Sequence, residues 1–171
     1  MTKQEDVITR LGENLLLLRK AAGWTASELG ERVGVTRQTI NNIEKGAPLT
    51  KTLYLAIRCI FSDEINNHPK DTEMLQYLLD ALVDHPEKWS EEQRIVLIDK
   101  AQMLTPSIME KTKSREAVSK DWFRLISTVL VTAGAIMATS LITDSDSPSN
   151  SFNWISAVRN IGSHKAPQKK K

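Results

Sequence analysis

The stretch from Thr25 to Gly46, TASELGERVGVTRQTINNIEKG, constrains the fold more than any other part of the chain. It holds two short helical patterns with room for only a tight turn between them. Thr25 and Glu28 have the Ser/Thr-x-x-Glu spacing of a capping box, in which each side chain satisfies a backbone N–H that a helix start leaves free. Leu29 and Val33 then share one face of a first helix. Gly34 supplies the permissive backbone of a sharp turn, and Val35 is an apolar plug after it. Thr36 is a second N-cap, and Ile40 and Ile43 give the second helix its buried stripe. Arg37, Gln38, Asn41 and Asn42 are left on the outward face. Arg pairs bidentately with guanine and Gln or Asn with adenine, so this set suits the base edges of a major groove. The pattern is a helix-turn-helix.

Over residues 8–60 the chain resembles the XRE family, the Cro and phage-repressor type of helix-turn-helix. LRKAAGWTASELGERVGVTRQTINNIEKG and a capped fourth helix after it carry the resemblance. It implies an all-α, four- to five-helix Cro/repressor-like DNA-binding domain. It also implies that the second helix of the motif enters the major groove with Thr36, Arg37, Gln38, Thr39 and Asn42. An acidic residue late in that helix pairs in the family with an Arg of helix 1, which points here to Glu44 and Arg19 as an architectural ion pair. One position departs from the pattern. The family often places a phosphate-touching Gln second in the motif's first helix, where this chain has Ala26, leaving the Thr25 and Ser27 hydroxyls to replace it. Thr36, Thr39, Lys45 and Lys51 are placed nearer the backbone phosphates, which set affinity more than specificity.

The net charge of +2 hides a strong partition. Residues 1–61 sum to +3, residues 62–110 to −7 and residues 111–171 to +6, so the chain divides into a basic head, an acidic middle and a basic tail. Cys59 is the only cysteine, which excludes an internal disulfide and a Cys-based metal site. Beside Ile57 and Ile60 on the fourth-helix pattern it is expected to be a buried, inert thiol. His68, His85 and His164 lack ligand spacing, and no metal or cofactor is assigned. The opening MTKQEDVITR is too polar for a signal peptide.

In the head, residues 1–9 read as a lead-in to a first helix with Leu11, Leu15 and Leu18 on one face, widened by Leu16 and Leu17 and ended by Gly23. Trp24 is expected in the small core. Pro48 punctuates the loop after the motif, and Thr50 caps a fourth helix bearing Leu53, Ala56, Ile57 and Ile60. The head is assigned residues 1–61. Residues 62–106 read as an acidic helical hairpin. Met74, Leu75, Leu78, Leu79 and Leu82 recur at helical spacing until His85-Pro86, and a Ser90/Gln93 capping box opens a helix that Thr105-Pro106 is expected to stop. Its apolar side packs on the head or pairs two copies into the homodimer that reads two half-sites. Glu91 and Glu92 lie in a first helical turn, where they complement the helix dipole.

Residues 107–124 are a basic segment, and Leu125–Ile142 is an uncharged run of eighteen residues. A helix of that length spans about 27 Å, close to the roughly 30 Å of a bilayer core. Gly134 and Ala138 form a small-xxx-small pair on it. Five Lys/Arg precede it in residues 111–124 and none follow in residues 143–157, which puts the N-terminal side in the cytoplasm. Residues 143–171 read as a polar linker, a short amphipathic helix bearing Phe152, Ile155, Val158 and Ile161, and a basic tail.

The sequence therefore predicts a sequence-specific regulator that binds double-stranded DNA, held in the cell membrane by one C-terminal helix and responding to an unidentified protein or ligand signal. Two alternatives share the head. One is a cytoplasmic, soluble oligomeric phage-type repressor; the other is a protein-interaction module or antitoxin that keeps the helix-turn-helix as a scaffold. No nucleophile, base and orienting group fall together and no Gly-rich phosphate loop occurs, so no enzyme is predicted.

Overall fold

A computed structural model describes residues 3–132, and the elements within it are all helical. They run α1 (Lys3–Ala21), α2 (Ala26–Val33), α3 (Arg37–Glu44), α4 (Lys51–Asn67), α5 (Glu73–Leu79), α6 (Glu91–Met109) and α7 (Arg115–Thr132). Between α5 and α6 lie a widened π turn over Asp80–Asp84 and a 3-10 turn over Pro86–Lys88.

Local chemistry sets most of these boundaries. Thr25, Thr36, Thr50 and Ser90 each accept a hydrogen bond from the backbone N–H three residues on, and Thr25 and Ser90 belong to complete capping boxes with Glu28 and Gln93. Caps of this kind contribute about 1 kcal/mol each. Gly23 and Gly34 take φ of 77° and 76°, the left-handed conformation that lets α1 and α2 end abruptly.

α1 is the helix that the whole body shares. Leu11, Leu15 and Leu18 are fully buried, while Leu16 of the same run is exposed. α1 packs on α3 and α4 on one side, and on α5, the π turn and α6 on the other. Trp24 stacks on Phe61 with ring centroids 5.6 Å apart and planes 7° from parallel, closing the head's core. Met74, Leu75, Leu78 and Val83 meet Leu97, Ala101, Leu104 and Ile108 of α6 in a continuous cluster with it. The apolar side of the acidic middle is thus occupied by α1 of the same chain and by α7.

Several expectations change. α1 begins at Lys3, so the lead-in is itself helical. Pro106 does not stop α6, which runs on to Met109. Pro106 and Gln102 are both exposed, so the carbonyl that proline leaves without a donor faces water. Cys59 is exposed, since it lies on the side of α4 opposite the buried Ile57, Arg58 and Phe61. The basic segment is largely neutralised: Arg115 pairs with Glu64 at 2.6 Å, Lys113 with Asp121 at 2.7 Å and Lys120 with Glu116 at 2.7 Å.

The membrane span expected over Leu125–Ile142 finds no support. Its first residues belong to α7, where Val118, Trp122 and Ile126 form a stripe buried to 1% exposure or less, and Leu125 packs beside it. Among the described residues no helix is long and apolar enough to cross a membrane. Residues 133–142, the linker, the amphipathic helix and the basic tail lie outside the described residues.

Candidate nucleic-acid interface

The outward face is built where α2 meets α3. Gly30 lies inside α2, and a Cβ there would stand 2.6 Å from the Val35 carbonyl oxygen and 3.3 Å from the Arg37 nitrogen. Only glycine lets the backbone entering α3 come so close. The turn is closed by the Val35 N–H, which donates to the Gly30 carbonyl at 2.8 Å. Thr36 then opens α3, its hydroxyl accepting from the Thr39 N–H at 3.2 Å and lying 3.0 Å from the Thr39 hydroxyl.

α3 turns Ile40 and Ile43 into the core and leaves Arg37, Gln38 and Asn42 exposed, with Thr39 and Asn41 half-buried. The Gln38 amide donates to the Asn42 side-chain oxygen at 2.8 Å, one turn apart on the same face. Two amide side chains are thereby held in a fixed mutual orientation. Lys45 follows the helix and Lys51 opens α4; both are exposed. No ion pair among the described residues engages Arg37, Lys45 or Lys51.

Behind this face, Arg19 reaches Glu44 with two nitrogens, at 2.6 and 3.2 Å, and donates from the third to the Trp24 carbonyl at 2.7 Å. Both side chains are less than a tenth exposed. The pair ties the end of α3 to the end of α1 and so fixes how far the outward face projects. Arg32 caps the other side, its guanidinium 4.4 Å from the centre of the Trp24 ring.

Thr25, Ser27, Arg37 and Asn41 come together around a cleft of about 430 Å³ that Arg19, Ala26 and Met109 of α6 also line. The starts of α2 and α3 both border it, and helix N-termini carry partial positive charge. Ser27 points its hydroxyl at Glu31 at 3.4 Å. Glu28 is held below the usual carboxylate range by hydrogen bonding with the Thr25 backbone and hydroxyl, with the charges of Lys111 and Arg32 adding to the effect. Thr36, which caps α3, and Gln38, Thr39 and Asn42 within it do not line the cleft, and Lys45 and Lys51 lie beyond the helix.

Residues 15–59 match the model of a helix-turn-helix family. The head is an XRE-type helix-turn-helix. No curated protein and no solved structure gives a significant match to the chain. The match ends before α5, so α5 and α6, which pack on α1, and α7, which packs on α5 and α6, lie beyond what the family model describes. Sequence reasoning overlooked Gly30, Arg32 and Met109. A glycine in a short helix signals close approach only once the crossing partner is known, and Met109 reaches the cleft from 50 residues past the matched segment.

Proposed function

We propose that the chain is a sequence-specific transcriptional regulator that lays α3 in the major groove of double-stranded DNA. The observation that carries this is the exposed, polar face of α3, where no carboxylate of the described residues pairs with Arg37 and where Gln38 and Asn42 are oriented by their mutual hydrogen bond. Arg37, Gln38 and Asn42 face base edges. Thr25, Ser27, Thr36, Thr39, Lys45 and Lys51 lie nearer the phosphates and set register and affinity. The reading extends to a homodimer that places two heads on half-sites one helical turn apart. Its shared surface must differ from the apolar side of α5 and α6, which α1 and α7 already cover.

The packing of α7 favours the form of this reading without a membrane anchor. If residues up to Ser127 stay with the protein core, the fifteen that remain of the uncharged run make a helix of only about 22 Å, short of a bilayer core of roughly 30 Å.

Selection of binding sequences from random duplexes, followed by Arg37→Ala, tests the assignment. The variant is expected to lose about 1–3 kcal/mol at one base position and relax preference there. An equal loss on every duplex overturns the role of Arg37 in reading.

A further inference from the structure

Lys111, beside the head, is a cation with no ion-pair partner among the described residues. α6 ends in a Schellman turn, in which the Lys111 N–H donates to the Ile108 carbonyl and the Thr112 N–H to the Ser107 carbonyl, both at 3.1 Å. Such a turn puts its penultimate residue in the left-handed region, usually as glycine. Here the position is Lys111, with φ of 55°, the only non-glycine with positive φ among the described residues. The chain thus keeps a charged side chain where the backbone favours none.

The turn stands against the reading head. Met109 lines the cleft with Thr25, Ser27 and Arg37, and Ile108 and Arg115 lie 3.0 and 3.4 Å from the place a Cβ on Gly23 would take. The neighbouring cations are engaged, Lys113 by Asp121, Arg115 by Glu64 and Lys120 by Glu116. Lys111 is exposed, and no carboxylate of the described residues lies within ion-pair distance of it. Its field reaches Glu28, whose carboxylate would otherwise meet an approaching phosphate with a like charge.

We infer that Lys111 is a DNA-backbone contact supplied from outside the helix-turn-helix, directed at the phosphodiester that passes the start of α2. It rests on the DNA-binding reading above and extends the interface across α6, so that the C-terminal half helps hold the duplex. Lys111 offsets the Glu28 charge at this edge and supplies a phosphate contact that Ala26 cannot. A phosphate contact of this kind adds affinity and salt dependence without sequence preference.

The full chain, a duplex recovered by selection and an unrelated duplex of equal length provide the test, with affinity measured across a potassium chloride series. Lys111→Gln removes the charge; Lys111→Gly removes it while relieving the backbone, which guards against a folding defect. Lys88→Gln is the control, at the other end of a nineteen-residue helix about 28 Å long. Both Lys111 variants are expected to reduce the slope of log affinity against log salt by about 0.9 on both duplexes, and the control to leave it unchanged. Wild-type slopes in both Lys111 variants, or an equal change in the control, overturn the assignment. A wild-type chain that binds no duplex overturns the DNA-binding reading itself, which separates the two failures.

Discussion

α3 and the start of α7 carry similar charges and use them in opposite ways. On α3 and just beyond it, Arg37, Lys45 and Lys51 are exposed and, among the described residues, hold no carboxylate. Around the start of α7, Lys113, Arg115 and Lys120 each hold one at 2.6–2.7 Å. Composition alone makes both segments basic. The difference lies in whether the chain's own acids reach them, and it separates charge kept for a ligand from charge used to fasten one helix to another.

The sharpest way to break this division is at the pair that supports α3 from behind. Glu44→Ala leaves Arg19 buried without its partner and is expected to cost about 3–5 kcal/mol, read from urea unfolding, with DNA affinity falling because α3 loses its anchor. Gly30→Ala comes next. Its new Cβ meets backbone rather than a yielding side chain, so α2 and α3 must separate, at about 1–3 kcal/mol in stability, with a larger loss on selected than on unrelated duplexes.

Lys111→Gly acts in the other direction. Relieving the left-handed strain is expected to raise stability by about 1 kcal/mol, measured as a higher Tm, although the same change weakens DNA binding. Opposite signs in the two assays would show that the lysine is kept for its charge. The smallest effect concerns Glu28. Its carboxyl is held below the ordinary value of 4.5, so its contribution is fully present above that value and is lost as pH falls through it toward the lowered one. Glu28→Gln keeps a capping-box hydrogen bond and removes the titration, so its Tm should fall less between neutral pH and about pH 3 than that of the parent.

What could be read from the sequence followed the range of the interactions. The capping boxes at Thr25/Glu28 and Ser90/Gln93 lie within four residues, and their spacing alone specifies them. Leu11, Leu15 and Leu18 announce a buried face because helical period needs no partner to be seen. Cys59 was misplaced because apolar neighbours in sequence do not share a helix face at a spacing of two. Pro106 was given the force of a stop, but a proline on the solvent side leaves its orphaned carbonyl to water. The uncharged run after Arg124 suggested a bilayer because hydropathy does not reveal that Trp122 and Ile126 have a protein core to enter. The cleft is not legible in sequence for the same reason, since Met109 and Thr25 share it only because α6 packs along α1.

Arg115 gives the molecule a property beyond stability. Its guanidinium donates to the Ala22 carbonyl at 3.0 Å and to Glu64 at 2.6 Å, so the turn after α1, the end of α4 and the first residue of α7 meet at one side chain. An event that draws α7 away must break that junction next to the turn that orients α2. Were such an event to weaken DNA binding, thermodynamic reciprocity would require bound DNA to resist the loosening of α7 by the same free energy.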